Sequence, residues 1–176
     1  MKTKLLKFET IATIFIIVAG VLLHFSYDWS NENNIVGIFS AVNESIWEHL
    51  KLIFFPMLIT IIIGTIYYKE EYKNYLCIKT KGLILSLLSI IMLFYTYSGI
   101  LGNNISVINI LIYIISALIG QIYSYNKIKD TSSCNNKIAV GMLITLLICF
   151  ITFTYKTPRI GIFEDPTTNT YGINSK

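Results

Sequence analysis

Long apolar intervals separated by short charged segments dominate the chain. The first charge-free interval lies between Glu9 and Asp28 and contains the apolar run Ile11–Phe25. The second follows Lys51 and reaches Tyr68, with its helix beginning near Ser45. The third, between Lys81 and Lys127, holds 45 residues without a formal charge. As a single helix it would be about 68 Å long, more than twice the roughly 30 Å of a hydrocarbon core. Gly102-Asn103-Asn104 supplies the break, dividing the interval into a hairpin. A fifth apolar stretch, Ile138–Tyr155, stops before Thr157-Pro158, where proline cannot continue a hydrogen-bond ladder. The pattern predicts an all-α integral membrane protein with five transmembrane helices over residues 9–27, 45–68, 82–101, 105–126 and 138–156. An outer loop covers 28–44 and an outer tail covers 157–176. The high isoleucine content favours strands locally, but run length overrides it, because a backbone in lipid must satisfy its own hydrogen bonds.

Composition agrees with this reading. Of 176 residues, 54% are hydrophobic and only 14% are charged, about half the charge of an ordinary soluble domain. That excludes a typical soluble enzyme, a disordered tail and a nucleic-acid binder, and leaves room for one membrane domain. The formal charge is +4, but its distribution carries the information. With the N-terminus inside and the C-terminus outside, Lys2, Lys4, Lys7, Lys69, Lys73, Lys79, Lys81, Lys127, Lys129 and Lys137 fall on the inner side. Lys51, Lys156, Arg159 and Lys176 fall outside, a split of ten to four that follows the positive-inside rule. Cys77 and Cys134 are then cytoplasmic and Cys149 lies within a span, so no disulfide is expected.

Six of the ten acidic residues gather on the outer side: Asp28, Glu32, Glu44, Glu48, Glu164 and Asp165. Both histidines lie near them. His24 precedes Asp28 by one helical turn, and His49 follows Ser45 by one turn, so each ring sits about 6 Å inside its helix end. If the first two long helices pack together, the imidazoles meet below the outer interface. Two imidazoles with one or two carboxylates suit a divalent metal such as zinc. The sequence nominates His24, His49 and Glu48 as ligands, with Glu44 or Asp28 as the proton-transferring group and Asn43, Ser45 and Asp165 as further pocket residues. A metal with an open position would lower the pKa of bound water and make hydroxide available for hydrolysis.

The same residues have ordinary structural uses. Ser45-Ile46-Trp47-Glu48 reads as a capping box, and Glu48 with Lys51 as a simple ion pair three residues apart. His24 can serve as an interhelical hydrogen-bond partner, and Asp165 as a solvent-exposed turn residue in Glu164-Asp165-Pro166-Thr167. A non-covalent bis-histidine haem is a separate chemistry, although the surrounding acids fit a small hydrated cation better. Tyr95, Tyr97, Tyr113 and Gln121 read as hydrogen-bond partners between helices. The last three spans carry no ionisable acid or base, which disfavours an ion-coupled pump. The apolar residues of the tail, Ile160, Ile162, Phe163, Tyr171 and Ile173, predict a lid packed over the outer loop.

The segment Asn43-Glu44-Ser45-Ile46-Trp47-Glu48-His49-Leu50-Lys51, followed by Phe54-Phe55-Pro56, resembles a family of small bacterial membrane proteins to which no activity is attached. The tail segment Asp165-Pro166-Thr167-x-x-x-Tyr171-Gly172-Ile173 is similar to theirs as well. The resemblance implies a multi-pass protein of the bacterial cytoplasmic membrane and transfers no reaction. Three functional readings stand at this point. One is a metal-dependent hydrolase or transferase acting on lipid or cell-envelope substrate. The second is a non-catalytic membrane partner that docks another protein, and the third is a small-molecule or ion permease. Membrane lipids are expected partners; nucleic acid is not.

Overall fold

The computed structural model of the chain describes residues 2–129 and 134–173. Among these residues the structure is helical, without a strand. The helices are α1 (Lys2–Trp29), α2 (Asn34–Gly37), α3 (Ile46–Tyr68), α4 (Tyr75–Leu101), α5 (Ser106–Lys127) and α6 (Asn136–Tyr155), followed by a 3-10 turn at Gly161–Phe163. All except α2 and the 3-10 turn are long and apolar enough to cross a membrane, and they fall in the five predicted intervals. The short α2 lies in what the sequence alone reads as loop.

The expected ends are visible in the chemistry. Gly102 takes the left-handed conformation (φ 66°) and its N–H bonds Ser98 O at 2.8 Å, closing α4 as a glycine just past a helix does. Asn135 caps α6, its side chain accepting from the amides of Lys137 and Ile138. The Ser45 hydroxyl accepts from the Glu48 amide at 3.4 Å to start α3. Only half of the predicted capping box forms. The Ser45 amide bonds Asn43 Oδ1 at 3.0 Å, while the Glu48 carboxylate turns elsewhere.

α3 is the central helix, packed between α1 and α4. Ile53, Phe54, Met57 and Ile61 on it are fully buried, as expected of a helix that is apolar all round. Pro56 sits inside α3 and cannot donate to Leu52 O. Tyr113 of α5 fills the gap: its hydroxyl donates to Ile16 O at 2.7 Å and lies 3.4 Å from Leu52 O. α4 and α5 form the closest pair, at small residues. A Cβ on Gly120 would stand 2.3 Å from Gly82 O, and one on Gly82 would stand 2.6 Å from Gly120 O. Small side chains at such crossings let two helix backbones touch.

Two boundaries differ from expectation. α1 begins at Lys2 and α4 at Tyr75, each about two turns before the charge that was read as its limit. Two charges that the lengthened helices take in, Glu9 and Lys79, are not solvated. Glu9 and Lys79 meet inside the bundle at 2.7 Å, and Tyr75 OH donates to the other Glu9 oxygen at 2.9 Å. Lys79 also donates to Gln121 Oε1, whose amide nitrogen reaches Thr13 Oγ1 at 3.3 Å. A charge satisfied in this way does not end a helix.

The cysteine expectation is corrected. Cys77 and Cys134 form a disulfide, with Cα atoms 5.9 Å apart. The early start of α4 places Cys77 in its first turns, beside the entry to α6. There Asn136 stitches the segments together, accepting from the Cys77 amide at 3.2 Å and donating to Lys73 O at 2.9 Å. Of the charges used for orientation, Lys176 lies outside the described residues and only the backbone of Lys2 is described.

Candidate functional site

The histidines of α1 and α3 face each other at the end of the bundle that carries α2 and the C-terminal tail. Their ring centroids are 5.2 Å apart. Between them reaches Glu44, from the residue before the α3 cap. Its two oxygens lie 3.7 Å from His24 Nε2 and 3.5 Å from His49 Nε2. One donor atom from each of these three residues falls within 4.8 Å of the others.

Local structure sets this arrangement. Because Ser45 caps α3, Glu44 is the last residue of the extended entry and its side chain leaves α3 toward α1. His49 Nδ1 bonds Ser45 O at 2.8 Å. A carbonyl only accepts, so Nδ1 carries a proton, and in the neutral ring Nε2 then presents a lone pair toward Glu44. His24 packs on Phe25, with centroids 4.9 Å apart, and its Nδ1 has no hydrogen-bond partner among the described residues. Ser40 ties the loop to the end of α1 by donating to Leu23 O and accepting from the Tyr27 amide at 3.1 Å.

Glu48, nominated from sequence as the carboxylate ligand, is turned away. It is buried, paired with Lys51 at 2.5 Å and accepting from the Val42 amide at 3.0 Å. Glu44 stands in the place assigned to it. The reason is angular: residues four apart share a helix face, and Glu48 precedes His49 by one residue, about 100° around the axis. Lys51 is buried as well and also donates to Gly37 O at 2.7 Å and Thr154 Oγ1 at 3.1 Å. The pair therefore fastens the loop to α3 and α6.

His24, Asp28, Asn43, Glu44 and Asp165 line one cleft of about 250 Å³, with Tyr27, Thr168, Thr170 and Gly172. Asp28 is exposed in it. Asn43 donates to Gly172 O at 3.4 Å, and Asp165 Oδ2 accepts from the Glu44 amide at 3.3 Å. Asp165 is only 5% exposed and belongs to the cleft wall, not to a solvated turn. Burial opposes its ionisation, but the Thr167 hydroxyl and amide, with the amides of Glu44 and Thr168, hold the carboxyl below the usual carboxylate range. The tail thus covers the cleft, braced by the Glu164–Tyr171 bridge and by Phe163 against Trp47, whose centroids are 4.8 Å apart. Thr168 and Thr170 carried no signal in the sequence. Lys51 did carry one, a lysine three residues after a glutamate, but its burial was not legible there.

The chain belongs to a family of unknown function (DUF6512), which matches residues 1–173. No curated protein and no solved structure matches it.

Proposed function

We propose that the chain is a five-span protein of the bacterial cytoplasmic membrane, N-terminus inside and C-terminus outside, holding a divalent metal near the outer surface. The ligands are His24, His49 and Glu44, and the metal serves hydrolysis or group transfer on lipid or cell-envelope substrate. Support for the orientation survives removal of the two buried lysines: ten less Lys79 leaves nine inner cations, and four less Lys51 leaves three outer ones.

The observation that carries the metal is the meeting of His49 Nε2 with Glu44 Oε2 at 3.5 Å. With Nδ1 donating to Ser45 O, Nε2 of the neutral ring and the Glu44 carboxylate are both acceptors, an arrangement that a cation between them satisfies. His24 Nε2, 3.7 Å from the other Glu44 oxygen, adds a third donor. Bonds of about 2.1 Å at tetrahedral angles put neighbouring zinc ligands about 3.4 Å apart, close to both distances. Three protein ligands leave one position for water, whose pKa such a metal brings toward neutrality. Asp28, exposed in the same cleft, is the free carboxylate that accepts the proton. Glu48 has no part in this chemistry; it holds the loop from which Glu44 projects.

Metal analysis of protein purified without a histidine tag tests the proposal. One zinc, manganese or iron per chain is expected, lost in His24→Ala and His49→Ala. Glu44→Gln should weaken retention by at least tenfold with the melting temperature nearly unchanged. Metal-free wild-type protein, with unchanged stability in both histidine variants, would overturn it.

A further inference from the structure

A second recess lies at the opposite end of the bundle. α4 carries α5 along one side and α6 along another, so a groove of about 470 Å³ runs over α4. Ile84, Leu88, Ile138 and Met142 form its walls, and Leu88, Ile138 and Met142 are each about half exposed, at 51%, 58% and 46%. Its rim is polar: Lys81, Asn135, Thr80 and Tyr123 border it. Lys81 is exposed, as is Lys137 in the first turn of α6. Among the described residues lining the groove there is no carboxylate. From Lys81 to Leu88 the walls run about 10 Å along α4, from the lysine-rich end toward the middle of the bundle.

We propose that this groove binds one anionic phospholipid, its phosphate at Lys81 and Lys137 and an acyl chain between α5 and α6. Three features select this occupant. An apolar trough with one charged end matches an amphiphile, and the charge at that end is positive. The groove's long axis also follows the helices, the direction of acyl chains in a bilayer. Basic recesses between spans on the cytoplasmic side bind anionic headgroups elsewhere, and the orientation above puts Lys81 on that side. A neutral lipid would fill the trough but leave the lysines without a counter-charge. The inference rests on the bilayer reading and is independent of the metal.

The test uses full-length protein in neutral detergent, with phosphatidylglycerol or phosphatidylcholine of identical chains added in mixed micelles. Native mass spectrometry reads retained lipid, and thermal unfolding reads the stability shift. Phosphatidylglycerol should remain as a single adduct and raise the melting temperature, while phosphatidylcholine should do neither. Lys81→Gln should lower phosphatidylglycerol retention about fivefold, in line with the attraction of one lysine for an anionic surface. Leu88→Trp, at an exposed position, should block the trough and abolish the adduct without unfolding the protein. Equal retention of both lipids, or unchanged retention in Lys81→Gln, would overturn the proposal. So would an equal shift from inorganic phosphate alone, or a second copy of the chain in place of lipid.

Discussion

Glu48 and Lys51 lie three residues apart on α3 and form an ion pair sealed inside the protein, their side chains 3% and 0% exposed. Every proton of the Lys51 ammonium has an acceptor: Glu48, Gly37 O and Thr154 Oγ1. Glu48 in turn takes the Val42 amide. The pair therefore grips the segment between residues 37 and 42 and ties it to α3 and α6. Glu44 departs from the end of that segment, so the geometry around the histidines depends on two residues that do not touch them.

Removing one member should be far worse than removing both. Glu48→Leu or Lys51→Met leaves a buried charge without its partner, which costs about 3–5 kcal/mol. The double variant Glu48→Leu/Lys51→Met should recover a large part of that loss, because no charge then remains to be desolvated. Unfolding in detergent micelles across the double-mutant cycle measures the coupling. Additive losses would show that the two side chains act separately.

The α4–α5 crossing gives a prediction within one residue type. At Gly120 an added Cβ meets Gly82 O at 2.3 Å, whereas at Gly99 it meets nothing within 4 Å. Gly120→Ala should destabilise by about 1–3 kcal/mol through overpacking. Gly99→Ala, in the same helix pair, should be neutral or stabilise by up to about 1 kcal/mol through helix propensity. Melting temperatures compare them directly, and equal losses would contradict the tight crossing.

The disulfide offers a check on orientation. Cys77 and Cys134 lie at the lysine-rich end, which the proposed orientation puts in the cytoplasm, where thiols are kept reduced. In cells quenched with a thiol-alkylating reagent, both cysteines should therefore be captured as thiols, and the bond should form after lysis in air. A bond already present in the quenched cells would place that end on the oxidising side and reverse the proposed orientation.

Much of the helical framework was legible, and so was the neighbourhood of the site. One turn from each helix end put His24 and His49 at the same depth, and the structure sets their rings 5.2 Å apart. The choice between Glu44 and Glu48 was not legible. Both are acids beside a histidine, and only the path of the loop into Ser45 decides which carboxylate faces α1. Glu9 and Lys79 misled for a related reason. A rule that treats charge as solvated starts α1 at Glu9 and α4 after Lys81, although Glu9 and Lys79 lie inside these helices and pair across the bundle at 2.7 Å.

The sequence by itself determined the five apolar helices, the break at Gly102, the stop before Pro158 and the serine cap of α3. These follow from run length, backbone stereochemistry and local hydrogen bonding, which act within a few residues. Tertiary structure alone decided that Lys51 and Lys79 are interior, that Cys77 meets Cys134, that Glu44 rather than Glu48 joins the two imidazoles, and that Asp165 closes the cleft. Each depends on the rotation of one helix against another or on the course of a loop. No periodicity along the chain encodes either, because both are set by contacts between residues far apart in sequence.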